Sequence, residues 1–147
     1  MKFQNKNIVI KTKKLFEIVD ITDKVLDFVK NSKMGNGLVN IQTMHTTAML
    51  ILNENEPLLL EDMKKNLERL ASEKEEYNHD NFDIRTVNMC DNECVNGHSH
   101  CKAMYLSPNV VLNLIEGKLQ LGQWQRVLYI ELDRAKERTI QVAILGG

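Results

Sequence analysis

Apolar residues recur along this chain at two different periods, and the switches between them mark out its elements. Ile8-Val9-Ile10 reads as a strand within residues 3–11. Ile21, Val25, Phe28 and Val29 return at helical spacing, with Thr22 placed to cap that helix. Gly35-Asn36-Gly37 is a turn. Leu38 to Met44 then alternates, Val39 and Ile41 on one face, Asn40 and Gln42 on the other. Ala48 to Leu52 is unbroken apolar sequence of strand length, the pattern of a strand buried on both faces. Pro57 suits the first turn of a helix. From there Leu58, Leu59, Met63, Leu67 and Leu70 carry an amphipathic face to about Ala71.

Ser72 to Asp91 is polar and has no period, which predicts a long loop; loops of that length are usually functional or disordered. A short helix is expected from Gly97 to Leu106, with Asn96 as N-cap. Val110 to Ile115 is a strand and Glu116-Gly117 a turn. Trp124 to Leu132 alternates, with Trp124, Leu128, Ile130 and Leu132 sharing one face, so Trp124 is expected in the core. Ile140, Val142 and Ile144 form the last strand. Strands outnumber helices and several are joined by short turns. The expected fold is therefore α+β: one domain over residues 1–147, a mostly antiparallel sheet or a sandwich with two to three helices.

Composition narrows the partners. Hydrophobic content of 43% and charged content of 27% over 147 residues place the chain with globular proteins. A formal net charge of -1 gives no bulk attraction to nucleic acid or anionic lipid, so neither is expected as a partner. No apolar run approaches the roughly 18 residues a membrane helix needs. Residues 1–14 lack the apolar region of a secretory signal, and three cysteines do not make a paired disulfide scaffold. The expected compartment is a reducing cytoplasm.

The candidate chemistry lies in histidine. All four histidines, His45, His79, His98 and His100, sit in short polar blocks. Imidazole is the side chain best suited to binding divalent metal or moving protons near neutral pH. His79 is followed by Asp80, which could orient an imidazole or help hold a cation. His98 and His100 point about 200° apart on a helix, so they are not expected to share one ion. Free N–H groups at that helix start would favour an anion. Cys90, Cys94 and His98 resemble a metal ladder, but Asn96-Gly97 breaks a continuous helix there. Asn53-Glu54-Asn55-Glu56 either favours a helix N-terminus or faces a site. Glu131 is an acid within an otherwise apolar strand, which marks it as a candidate ligand or base.

Together these blocks resemble the YjbQ family, the secondary thiamine-phosphate synthases. The resemblance runs through His45-Thr46-Thr47-Ala48, Leu52-Asn53-Glu54-Asn55, Asp62 and Tyr77-Asn78-His79-Asp80. It continues through Ser99-His100-Cys101-Lys102-Ala103, residues Gly117 to Gln125, and Glu131. It implies a compact α+β fold, a homotrimer, and a histidine-rich site for a divalent metal (zinc or magnesium) or an anion. It also implies a transferase-type activity on small phosphorylated metabolites. On that reading His45, His79 and His100 contact metal or phosphate, and Asp80 and Glu131 are base or orienting groups. Thr46, Thr47, Asn53, Lys136 and Arg138 would bind substrate phosphate. His98 falls where other members carry unrelated residues. Many members carry a Gly-Pro-Arg-x-Arg tail; here Arg134-Ala135-Lys136-Glu137-Arg138 keeps a charge at Lys136 but not arginine's planar fork. Gln123 replaces the usual threonine. Two rival readings use the same histidines: a metal-dependent hydrolase or phosphate-processing enzyme, and a non-catalytic metabolite-binding trimer.

Overall fold

The alternating segments pair into two antiparallel sheets, and the computed structural model describes all of residues 1–147. The larger sheet runs, in spatial order, β1 (Lys2–Lys11), β8 (Glu137–Gly146), β3 (Gly37–Thr43), β5 (Asn109–Ile115) and β6 (Lys118–Leu119). The smaller runs β2 (Glu17–Asp20), β7 (Arg126–Glu131) and β4 (Ala48–Asn53). Three helices accompany them: α1 (Thr22–Ser32), α2 (Pro57–Leu70) and α3 (Gly97–Ala103), with a single 3-10 turn at Asn78–Asp80. The α+β expectation holds. β2 and β6 were not legible, because four and two residues are too few to show a period. None of the helices is long and apolar enough to cross a membrane.

The smaller sheet lies in the middle of the molecule. Its Ala48, Leu50, Val127 and Tyr129 pack against Ile8, Val39, Ile41, Leu112, Ile140 and Val142 of the larger sheet. α1 adds Val25, Phe28 and Val29 to that core. The other side of the smaller sheet presents Met49, Ile130 and Leu132 to Leu67 of α2 and to Ala103 and Leu106 at the end of α3. β4 and β7 are therefore covered on both sides, which is why 48–52 reads as unbroken apolar sequence. Each such side chain contributes about 1.5–3 kcal/mol by leaving water.

Helix starts depart from the expected capping. Ile21, not Thr22, precedes α1, and no side chain caps it. Thr22 is already helical, and its hydroxyl accepts the Val127 N–H at 2.8 Å, tying α1 to β7. At α2, Pro57 takes the first turn as expected, and the Glu56 carboxylate accepts from Leu58 N–H at 3.0 Å and Leu59 N–H at 2.8 Å. Trp124 is a correction: β7 begins only at Arg126, and Trp124 stands 65% exposed in the preceding turn. The outer face of the larger sheet has no covering element. It leaves Phe3, Leu38, Val111 and Leu145 exposed, with Leu145 between Phe3 and Leu38 in register.

Candidate functional site

At one end of the sandwich an ion pair bridges the two sheets. Glu131 of β7 and Arg138 of β8 both point inward, 0% and 3% exposed. Arg138 Nε donates to Glu131 Oε2 at 2.6 Å, and Nη2 donates to Glu131 Oε1 and, at 3.2 Å, to Thr47 Oγ1. Thr12 Oγ1 and the Asp133 N–H, each at 3.0 Å, complete the carboxylate's shell. Burial opposes the guanidinium charge, but the bonds to Glu131 outweigh it and hold Arg138 above its ordinary pKa. Glu131 has no oxygen free to act as a base, and Arg138 is enclosed rather than offered to phosphate. Thr47 is likewise buried against Arg138, while Thr46 beside it is exposed.

His45 follows β3, beside this pair. Its Nε2 accepts the Thr139 N–H at 2.9 Å. A neutral imidazole then carries its proton on Nδ1. Partial burial lowers its pKa, aided by Arg138 and Lys136 and opposed by Glu131. His45 is thus a donor through Nδ1, and the expected metal-ligand role does not fit that hydrogen bond. Lys136 is half-buried, with Nζ donating to Asp133 Oδ2 at 2.8 Å.

Asp133 links this end to the loop region. The same Oδ2 accepts from Asn96 Nδ2 at 3.2 Å. Asn96 does not cap α3 with its side chain, as expected of it; its Oδ1 is buried with no partner. The cap comes from Asp80, whose Oδ1 accepts the N–H of both Asn96 and Gly97 at 2.9 Å. The expected anion position at that helix start is therefore filled by the chain's own carboxylate, and Asp80 is a docking group. Docking brings the His79 and His100 rings edge to face, with centroids 4.6 Å apart. Arg85 Nη1 holds the His79 carbonyl at 3.3 Å. Burial lowers the His100 pKa, followed by neighbouring His79 and against the pull of Asp133.

Some expected residues lie elsewhere. Asn53 is at the far end of β4 from Thr47, about 20 Å along the strand. Its Oδ1 accepts the Glu54 N–H, and it borders a hollow of about 460 Å³ with Trp124 and Gln125. Cys90 and Cys94 are exposed while His98 is buried, so no ladder forms. No three His, Cys, Asp or Glu side chains group closely enough to hold a metal ion by themselves. Sequence reading missed Asp133 as the junction and missed the partnership of His98 with Lys102. The i, i+4 spacing of the latter was the available signal.

The sequence profile described as UPF0047 protein YjbQ-like matches residues 6–147. This chain belongs to the YjbQ family. A UPF0047 protein of Archaeoglobus fulgidus is 38% identical over 94% of this chain and 98% of its own length. One from Methanothermobacter thermautotrophicus is 31% identical over 99% and 94%. A Sulfolobus solfataricus crystal structure, described as a YbjQ-like protein of unknown function, superposes with a TM-score of 0.88. It is 34% identical and covers 99% of both chains. A hypothetical protein of Aeropyrum pernix superposes with a TM-score of 0.86 at 29% identity, covering 98% of this chain and 99% of its own.

Three wholly or partly buried histidines of this YjbQ-family chain make acid stability a test of the geometry. His45, His98 and His100 all lie below the ordinary 6.5 in the fold, each chiefly through burial. The unfolded chain therefore binds protons below about pH 6.5 that the fold does not, and stability present above that pH is lost as pH falls. Glu68 is lowered from 4.5 to about 2: burial opposes ionisation, but Lys102, Ser72 and the Glu73 N–H overcome it. Its contribution, present above about pH 4.5, is lost as pH falls towards 2. Melting followed by circular dichroism should show Tm declining from about pH 6.5, with a further decline below about 4.5. A Tm that is level or rising between pH 7 and 5 would contradict this placement of the histidines.

Proposed function

We propose that this chain is a phosphate-handling transferase of thiamine-phosphate-synthase type, joining a pyrimidine diphosphate to a thiazole phosphate with release of pyrophosphate. The observation that carries the reading is the His79–His100 pair, 4.6 Å between rings, with Asp133 acting on His100 and itself paired to Lys136. The reaction builds charge on the departing diphosphate, and catalysis needs fixed positive or donor groups there. Lys136 and the Nδ1–H of His45 are suited to that task. They sit in one electrostatic neighbourhood, since Lys136 acts on the His45 ring.

The donor set supports zinc over magnesium, because imidazole suits zinc and magnesium prefers oxygen. His79 and His100 would hold it, with water or substrate phosphate oxygens in the remaining positions. A bound divalent ion would supply further charge stabilisation at the leaving group. The uncovered outer sheet face and the exposed Trp124 support a homotrimer.

The test is thiamine phosphate formation from the two phosphorylated precursors, by the wild type and by His79→Ala, with each protein's mass measured by light scattering. Product from the wild type, lost in a variant of unchanged mass, is the expected result. No product from a properly folded wild type would overturn the synthase reading. A mass of one 17.0 kDa chain would overturn the trimer.

A further inference from the structure

Between α2 and α3, away from the His79–His100 pair, lies a second buried polar cluster. Lys102 is 2% exposed; its ammonium donates to Glu68 Oε2 at 2.8 Å and to His98 Nδ1 at 3.2 Å. The other Glu68 oxygen accepts from Ser72 Oγ and the Glu73 N–H, both at 2.8 Å. Glu68 is thereby satisfied, and it fixes Lys102 in place. An ammonium has only protons to give, so His98 Nδ1 is the acceptor and the ring proton sits on Nε2. That N–H has one long contact in the chain, Ser99 Oγ at 3.5 Å. Ser99 Oγ stands 3.5 Å from both ring nitrogens, the outer limit of a hydrogen bond, and gives its own proton to Leu132 O at 2.6 Å. His98 is only 6% exposed, and a buried donor held by one long contact gains from a closer acceptor.

Space for a closer acceptor adjoins it. His98 and Lys102 form one wall of a cleft of about 290 Å³, faced by Leu15 and Phe16 before β2 and by Lys64 and Lys65 on α2. The Lys64 ammonium lies 5.8 Å from the centre of the Phe16 ring. Three lysines outnumber the carboxylates of Glu68 and Glu73 in this lining. On its other side His98 borders a wider hollow with Glu73, Glu75, Glu76 and Asp80, a field that repels anions. An anion is thus directed to the lysine side.

We propose that this cleft binds a small anion with an apolar body, a phosphate or carboxylate carried on one ring or a short alkyl chain. The headgroup accepts from His98 Nε2–H and pairs with Lys64, and the body lies on Phe16 and Leu15. The cleft volume is at the low end for ligand sites, which fits a ligand of one ring. None of His45, His79, His100 or Lys136 takes part, so the site is independent of the proposed transferase chemistry.

Phenyl phosphate is the probe, titrated into full-length protein with ¹⁵N-labelled histidine while the ring nitrogens are followed by NMR. His98→Leu assigns the signal. The expected result is a saturable shift of the His98 Nε2–H resonance that survives in Lys136→Ala. It should weaken about tenfold or more in Lys64→Glu, whose site is on the helix surface and whose fold should persist. Inorganic phosphate should bind about tenfold more weakly, the loss of one ring's burial. A shift that does not saturate, that vanishes in Lys136→Ala, or that is equal for Lys64→Glu or for inorganic phosphate would overturn the proposal.

Discussion

Replacing Arg138 with methionine is expected to lower the unfolding free energy by about 3–5 kcal/mol, the cost of leaving one half of a buried pair alone. Glu131 is 0% exposed and lies between two packed sheets, so water cannot replace the lost guanidinium. Thr12 and the Asp133 N–H remain, but neither carries charge. The double variant Glu131→Leu with Arg138→Met removes both charges and should recover much of the loss, because an apolar bridge of similar volume carries no desolvation penalty. Urea unfolding of both variants measures this. A single-variant loss under about 1 kcal/mol would mean that the pair behaves like a surface one.

Gly97→Ala should damage the site more than its size suggests. A methyl group there would stand 2.4 Å from Tyr77 Cβ and 2.7 Å from Tyr77 Cγ. Those atoms sit at the root of the side chain, so no rotation of the ring relieves the clash. The Tyr77–Asp80 segment must move off α3, which strains both Asp80 hydrogen bonds and separates His79 from His100. Overpacking of this kind costs about 1–3 kcal/mol. A displacement near 1 Å at reacting groups costs about a hundredfold in rate. Gly122→Ala is the control, since its methyl would meet only the flexible Gln125 side chain, at 3.4 Å. Unchanged product formation by Gly97→Ala would remove the His79–His100 pair from the chemistry.

Much of the fold was legible because burial writes itself into the chain at period two. The unbroken apolar run at 48–52 announced a strand covered on both sides, and β4 is one. Trp124 misled because alternation does not say where a strand begins. The site was less legible because the roles of polar residues are set across the fold rather than along the chain. Glu131 stood out correctly as an acid among apolar neighbours, yet the residue that neutralises it comes from another sheet. Asp80 capping a helix whose start lies on the far side of a long loop has no local signature. Asn53 belongs to the same family motif as His45, but the length of β4 carries it to the opposite end.

The placement of β8 also governs how the molecule is made. It lies between β1 and β3, pairing Ile10 with Arg138 and Thr43 with Ile140. These contacts join distant parts of the chain, a topology that folds in milliseconds to seconds rather than microseconds. The same strand brings Arg138 to Glu131 and the Thr139 amide to His45. A nascent chain lacking β8 would hold an uncompensated acid and an untethered imidazole. The Glu131–Arg138 pair, the tether on His45 and closure of the larger sheet therefore arise in a single event of folding.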